Sequence, residues 1–167
     1  MKRFLSFTAV ALCLLTSQVA QAQENRDARI KAQIVENYLV WQEAYKNKDA
    51  ERIISLESPD FTSLSKSGDA TPKAQHDETL RQLLNGLDKV TDARIAIKKV
   101  SIERNRVVVW NKQYLAGEII DNFKETSRVS FTISTKDIWV EYDGIWMLKR
   151  IEELSGKMIV NGKSESL

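Results

Sequence analysis

The sequence predicts an α+β domain in which helices in the N-terminal half precede a curved antiparallel sheet. Three observations carry this. Apolar residues recur at spacings of three and four between Arg29 and Lys48, and again between Thr71 and Leu87, which is the period of an amphipathic helix. After Thr91 the period changes to alternation, the mark of half-buried strands. The alternation also switches phase inside two strands, and an inserted residue that does this bends the strand.

The first residues stand apart from the domain. Lys2 and Arg3 precede an apolar run from Phe4 to Leu15, and small residues stand at Ala20 and Ala22. This is the pattern of a secretory signal peptide (1–22) cut after Ala22. A run of about 12 apolar residues is too short for a bilayer that needs about 20. Leu12 stands before Cys13 where a lipid-anchor signal needs a small residue. The mature protein is therefore expected to be periplasmic or secreted, with no membrane anchor.

Cleavage would remove Lys2, Arg3 and the only cysteine, Cys13, leaving 23 basic residues against 23 acidic ones. A formally neutral chain offers no electrostatic reason to bind nucleic acid or anionic membranes. A chain without thiols excludes cysteine nucleophiles and thiolate metal sites.

Residues 23–154 are expected to form one domain, followed by a polar tail, 155–167. The first helix carries the stripe Ile30, Ile34, Tyr38, Trp41 and Tyr45. Asp49 caps a short second helix, 50–57, which must stop before Pro59 because the residue preceding proline avoids helical angles. Residues 61–65 read as a short strand ending in a Ser67-Gly68 turn. Thr71 as N-cap and Pro72 at the first helical position open a third helix, with His76, Leu80, Leu83, Leu84 and Leu87 on its inner stripe.

Strands are predicted at 93–103, 106–116, 124–141 and 145–153. Ile95 and Ile97 are out of phase with Val100 and Ile102, which predicts a β-bulge at Lys98-Lys99. A second switch separates Val129, Phe131 and Ile133 from Ile138 and Val140. The last two strands form a hairpin around Asp143-Gly144, a pair suited to a type I′ turn.

That register puts Tyr142, Ile145, Val140 and Met147 on one face of the hairpin. Trp139, Trp146 and Leu148 lie on the other, beside an expected Asp137–Arg150 ion pair. The more uniformly apolar face is expected to look inward. The tryptophan face mixes aromatic and charged groups, as interfaces do, so Trp139, Trp146 and Leu148 are the expected dimer contacts.

Three stretches in this order, "YLVWQEAYKNKDAERIISLESPDF" (38–61), "TPKAQHDETLRQLL" (71–84) and "DIWVEYDGIW" (137–146), resemble the NTF2-like superfamily of the SnoaL/DUF4440 type. The resemblance implies a curved antiparallel sheet closed by three N-terminal helices into a cone. It also implies a cavity at the open end and frequent dimerisation through the sheet. It implies no single activity, because isomerases, dehydratases, cyclases and non-catalytic modules share the fold. The steroid-isomerase branch places a tyrosine on the first helix and a carboxylate base early in the first strand. Aligned on Asp49, those positions hold Trp41 and Ser65, which cannot play the same roles.

No G-x-S-x-G elbow, glycine-rich phosphate loop or metal-ligand spacing occurs, so neither a metal nor a cofactor is expected. General acid–base catalysis remains, with His76 as its candidate; a core-edge histidine bonded to a backbone carbonyl is the plainer reading. A binding pocket needs only a concave apolar surface with a few polar groups. Trp41, Tyr45, Phe61, His76, Trp110 and Tyr114 are the candidates for it. The leading expectation is an exported, non-catalytic homodimer that binds a small apolar or aromatic molecule. The alternatives are an acid–base lyase or isomerase using His76, and a dimeric protein-interaction module. The pairs Lys98-Lys99 and Glu152-Glu153 are read as solvated faces.

Overall fold

The computed structural model describes residues 5–120 and 123–165. Helix α1, Leu5–Lys46, begins inside the expected signal segment, whose residues 1–4 lie outside the described part. The chain divides into Met1–Val35 and Glu36–Leu167. In the first unit the helix is held locally, for instance by Gln23 Nε2 donating to Asp27 Oδ1 at 2.7 Å one turn on. No described helix is long and apolar enough to cross a membrane.

The second unit holds the rest of α1, then α2 (Ala50–Ile54), β1 (Glu57–Leu64), β2 (Ala70–Pro72) and α3 (Lys73–Gly86). After these come β3 (Lys89–Ile102), β4 (Arg106–Ile120), β5 (Thr126–Tyr142), β6 (Ile145–Val160) and β7 (Lys163–Glu165). They form one open curved sheet in the order β2-β1-β6-β5-β4-β3, with β7 beside β6. The sheet is mixed rather than antiparallel, because β1 pairs parallel with β6. Nothing local in either strand encodes that long-range pairing.

Asp49 caps α2 as expected, its carboxylate accepting from Arg52 N at 2.9 Å. The start of α3 differs. Thr71 and Pro72 belong to β2, where Thr71 pairs with Ser63, and the helix begins at Lys73 without a side-chain cap. The polar stretch after Leu154 is not a loose tail. It continues β6 to Val160 and turns at Asn161-Gly162, both at positive φ (48° and 81°), into β7. The expected turn at Asp143-Gly144 forms with φ of 48° and 82°, the type I′ signature.

The bulge at Lys98 is present: Ile97 pairs with Asn111 and Lys99 with Trp110, so Lys98 has no partner. The second phase switch is not in β5, whose register with β4 is unbroken from Arg106–Val140 to Ile120–Thr126. Instead β6 carries two extra residues, Lys149 and Leu154. Lys149 ion-pairs with Asp60, which also accepts from Tyr142 Oη at 2.7 Å and Ser58 Oγ at 2.9 Å. The Lys149 contact, then those two hydroxyls, hold the Asp60 carboxyl well below the usual carboxylate range. The bulge is thereby tied to β1.

The pairs near the turn form as expected, Val140 with Met147 and Trp139 with Leu148, but the opposite face looks inward, and the Lys149 bulge shifts the pairs beyond them. Asp137 pairs with Ile151 and Ile138 with Arg150, so no Asp137–Arg150 ion pair forms. Thr135, Asp137 and Trp139 all point inward. Trp139, Leu148 and Trp146 are 0%, 1% and 6% exposed, so all three are core residues rather than dimer contacts. The face of Tyr142, Ile145 and Met147 looks outward, with Ile145 66% exposed.

Candidate functional site

Residues 36–46 of α1 cross the inner face of the sheet, because three polar side chains fix the helix there. Asn37 Nδ2 donates to the Trp146 carbonyl at 3.1 Å, and Gln42 Oε1 accepts from Ile95 N at 3.0 Å. Tyr38 Oη donates to Asp137 Oδ2 at 2.6 Å. Their ring neighbours form a continuous aromatic row. Tyr38 stacks on Trp41 (5.8 Å between centroids), Trp41 meets Tyr45 (6.2 Å), and Trp139 packs edge-on to Tyr38 (5.5 Å).

At the end of this row, between α1, α3 and the sheet, lies a cavity of about 290 Å³. Trp41 and Tyr45 line it from α1, and His76, Leu80 and Leu83 from α3. The sheet contributes Gln113 and Leu115 from β4, Phe131, Ile133 and Thr135 from β5, and Ile151 and Glu153 from β6. The volume lies at the lower end of the range of small-molecule sites, and the walls are mainly apolar as such sites require. Tyr45 Oη donates to Gln113 Oε1 at 3.2 Å, which aims a polar pair at an otherwise greasy wall. Enclosure of the Tyr45 hydroxyl pushes its pKa up to about 12, so it stays a neutral donor.

His76 stands at the α3 side of the cavity with a buried carboxylate behind it. Its Nε2 is 3.2 Å from Glu57 Oε1, and the Glu57 side chain is 1% exposed. Lys73 Nζ donates to Glu57 Oε2 at 2.7 Å and to Asp77 Oδ1 at 3.2 Å, supplying the countercharge that a buried carboxylate needs. The Phe61 ring packs on the imidazole at 4.8 Å. Phe61 thus supports His76 from within the core and does not line the cavity.

Trp110 and Tyr114 are elsewhere. They alternate with the inward-facing Asn111, Gln113 and Leu115, so they lie on the opposite sheet face. There Lys99 Nζ sits 4.7 Å from the Trp110 ring centre and Arg94 Cζ 4.7 Å from that of Tyr114. Composition marked them as aromatic; only the register of β4 could tell their face.

A second polar group sits deeper. Asp137 is 0% exposed, and its Oδ2 accepts from Tyr38 Oη and from Asn111 Nδ2, each at 2.6 Å. Trp139 Nε1 donates to Tyr38 Oη at 3.1 Å. Burial pushes the Asp137 carboxyl up to about 6, and the donors of Tyr38, Thr135 and Asn111 oppose that rise without cancelling it. The Thr135 hydroxyl is close enough to contribute but makes no well-aligned hydrogen bond. Burial, followed by the Asp137 charge, raises the Tyr38 pKa well above that of a free tyrosine.

Sequence reasoning assigns Asp137 to an ion pair and Glu153 to a solvated face and gives Glu57 no role, yet each is a strand carboxylate at or near the site. Glu152-Glu153 illustrates why the two differ. Glu152 faces outward, 2.8 Å from Lys136, while Glu153 pairs with the inward-facing Thr135, because the extra Lys149 shifts the phase of β6 so that Ile151 and Glu153 follow Leu148 inward. Among the described residues no group of three or more His, Cys, Asp or Glu side chains is placed to hold a metal ion.

No protein-family model and no curated protein sequence matches the chain. Solved structures do. A conserved protein from Planctomyces limnophilus superposes with a TM-score of 0.63 at 14% identity, over 75% of this chain and 94% of its own. An NTF2-like protein from Cytophaga hutchinsonii gives 0.56 at 17% identity, over 73% and 94%. A candidate scytalone dehydratase from Novosphingobium aromaticivorans gives 0.65 at 12% identity, over 80% and 89%. The fold is NTF2-like. At these identities the likeness fixes architecture and leaves activity to the site itself. In NTF2-like terms the cavity described above lies on the helix-covered face of the sheet, and the Trp110 and Tyr114 face is the uncovered one.

Proposed function

We propose that this NTF2-like chain is an exported domain that holds a small, largely apolar molecule in the cavity beneath Trp41 and His76, without transforming it. The helices α1 and α3 and the inner sheet face act together as a cone around that molecule. The observation that carries the reading is the cavity itself: about 290 Å³ of open space walled by Leu80, Leu83, Leu115, Phe131, Ile133 and Ile151, with Trp41 and Tyr45 at one side. An unfilled apolar space forfeits packing, and a ligand restores it. Export rests on the basic start, apolar run and small residues up to Ala22. Homodimerisation, if it uses the sheet, falls on the outer face around Trp110, Val140 and Met147, since the inner tryptophans are covered.

The test is titration with N-phenyl-1-naphthylamine, a neutral probe that fluoresces in apolar surroundings. Saturable binding of one probe per chain is expected, and Leu83→Trp, which fills the cavity from the half-buried wall of α3, should abolish it with little change in melting temperature. Non-saturable binding, or binding unaffected by Leu83→Trp, would refute the cavity as the site.

One observation favours a second reading, acid–base lyase or isomerase chemistry. His76 lines the cavity with Glu57 Oε1 3.2 Å from its Nε2, within ion-pair distance though not as a well-aligned hydrogen bond, which puts a carboxylate beside an imidazole that could transfer a proton. A bound compound recovered as two species, isomers or a pair differing by the elements of water, that collapse to one in His76→Gln would be its mark.

A further inference from the structure

The cavity contains one charged group that neither the binding reading nor the histidine reading uses. Glu153 lines it from β6, on the same sheet face as Ile151 and opposite Thr135. No lysine or arginine is among the lining residues, and among the described residues no ion pair or hydrogen bond reaches the Glu153 carboxylate. Its neighbour Glu152 is satisfied by Lys136 on the other face, so the difference is one of placement rather than of local composition. Trp41, Tyr45 and Phe131 line the same cavity, and aromatic rings attract cations. Glu57, the other carboxylate near the cavity, is already matched by Lys73.

We propose that the ligand is an organic amine: an apolar, aromatic-sized body carrying one ammonium group that pairs with Glu153. This rests on the binding reading above and narrows it to a chemical class. A half-buried carboxylate beside apolar walls, with no cation among the described residues to neutralise it, selects for a ligand that brings the charge and the donors itself. The aromatic side of the cavity adds to the same preference, since ring faces favour an ammonium over a neutral or anionic group. The remaining contacts are non-directional and fit any apolar body of suitable size.

The experiment compares three ligands of matched shape, tryptamine, tryptophol and indole-3-acetate, by calorimetric titration against the intact chain and against Glu153→Gln. Tryptamine should bind about tenfold more tightly than tryptophol, a difference of about 1.4 kcal/mol, and indole-3-acetate should bind most weakly. In Glu153→Gln the amine and the alcohol should become equal and the acid should gain. Equal binding of tryptamine and tryptophol to the unaltered chain would overturn the amine assignment and leave the cavity reading standing. So would a preference for the amine that survives Glu153→Gln. If none of the three binds the unaltered chain, both readings fall. The comparison within the unaltered chain stands even if Glu153→Gln folds poorly.

Discussion

Asp137→Asn is expected to raise stability at pH 7.5 by roughly 2–3 kcal/mol and to remove a pH dependence between pH 4 and 6. The folded carboxyl has its pKa raised to about 6. An unfolded aspartate titrates near 3.9, and each unit of difference is worth about 1.4 kcal/mol. The folded state therefore binds the proton more tightly than the unfolded state. The stability tied to that proton is fully present below about pH 4 and is lost as pH rises through 6. At neutral pH the domain carries a buried anion whose desolvation outweighs the donors of Tyr38, Thr135 and Asn111.

An asparagine removes the charge and keeps the geometry. Its amide oxygen takes the place of Oδ2 and accepts from both Tyr38 and Asn111. Its amide nitrogen faces the Thr135 hydroxyl, which makes no well-aligned bond in the present chain. Urea midpoints of both proteins from pH 4 to 8 isolate the effect, because every other titrating group cancels in the difference. A difference that does not grow as pH rises would mean that Asp137 is not the strained group.

Trp139→Ala is expected to cost about 3–5 kcal/mol, against a total stability of about 5–15 kcal/mol for a domain of this kind. The indole is fully buried, packs edge-on against Tyr38 and donates to its hydroxyl. Its removal leaves a cavity beneath α1 and takes one donor from the Asp137 cluster. Trp110→Ala, on the outer face, should cost under about 1 kcal/mol when measured on the monomer. Urea unfolding at two protein concentrations separates the cases. The Trp139→Ala loss should be independent of concentration, whereas a residue at a subunit interface would lose stability in a concentration-dependent way. A Trp139→Ala loss below about 1 kcal/mol would contradict the inward face of β5.

These two residues also mark where the sequence stops being legible. Features encoded within a few residues could be read directly: the Tyr38–Trp41 stripe, the Asp49 cap, the Lys98 bulge and the Asp143-Gly144 turn. The inner face of β5 could not, because it carries Thr135 and Asp137 where alternation leads one to expect apolar residues. Their polarity made Ile138 and Val140 look like the inward set. The bulge at Lys149 is likewise silent in hydrophobic pattern, being held by Asp60 from a strand far away in sequence. Asn161-Gly162 is a strong local hairpin signal, but the polar residues around it hid the strand pair it joins.

The site divides along the same line. Trp41, Tyr45 and His76 were accessible to sequence reasoning because helical periodicity alone assigns their face. Trp110, Tyr114 and Glu153 were misplaced, and Glu57 passed over, because a strand residue's face depends on register and bulges.

The most direct test of the central claim, that this domain carries a small molecule in its cavity, is native mass spectrometry of the protein purified from its own cells. The unaltered chain should retain a small organic adduct at one per chain, and Leu83→Trp prepared identically should fly at its bare mass. Bare mass for both proteins, or the same adduct on both, would contradict the claim.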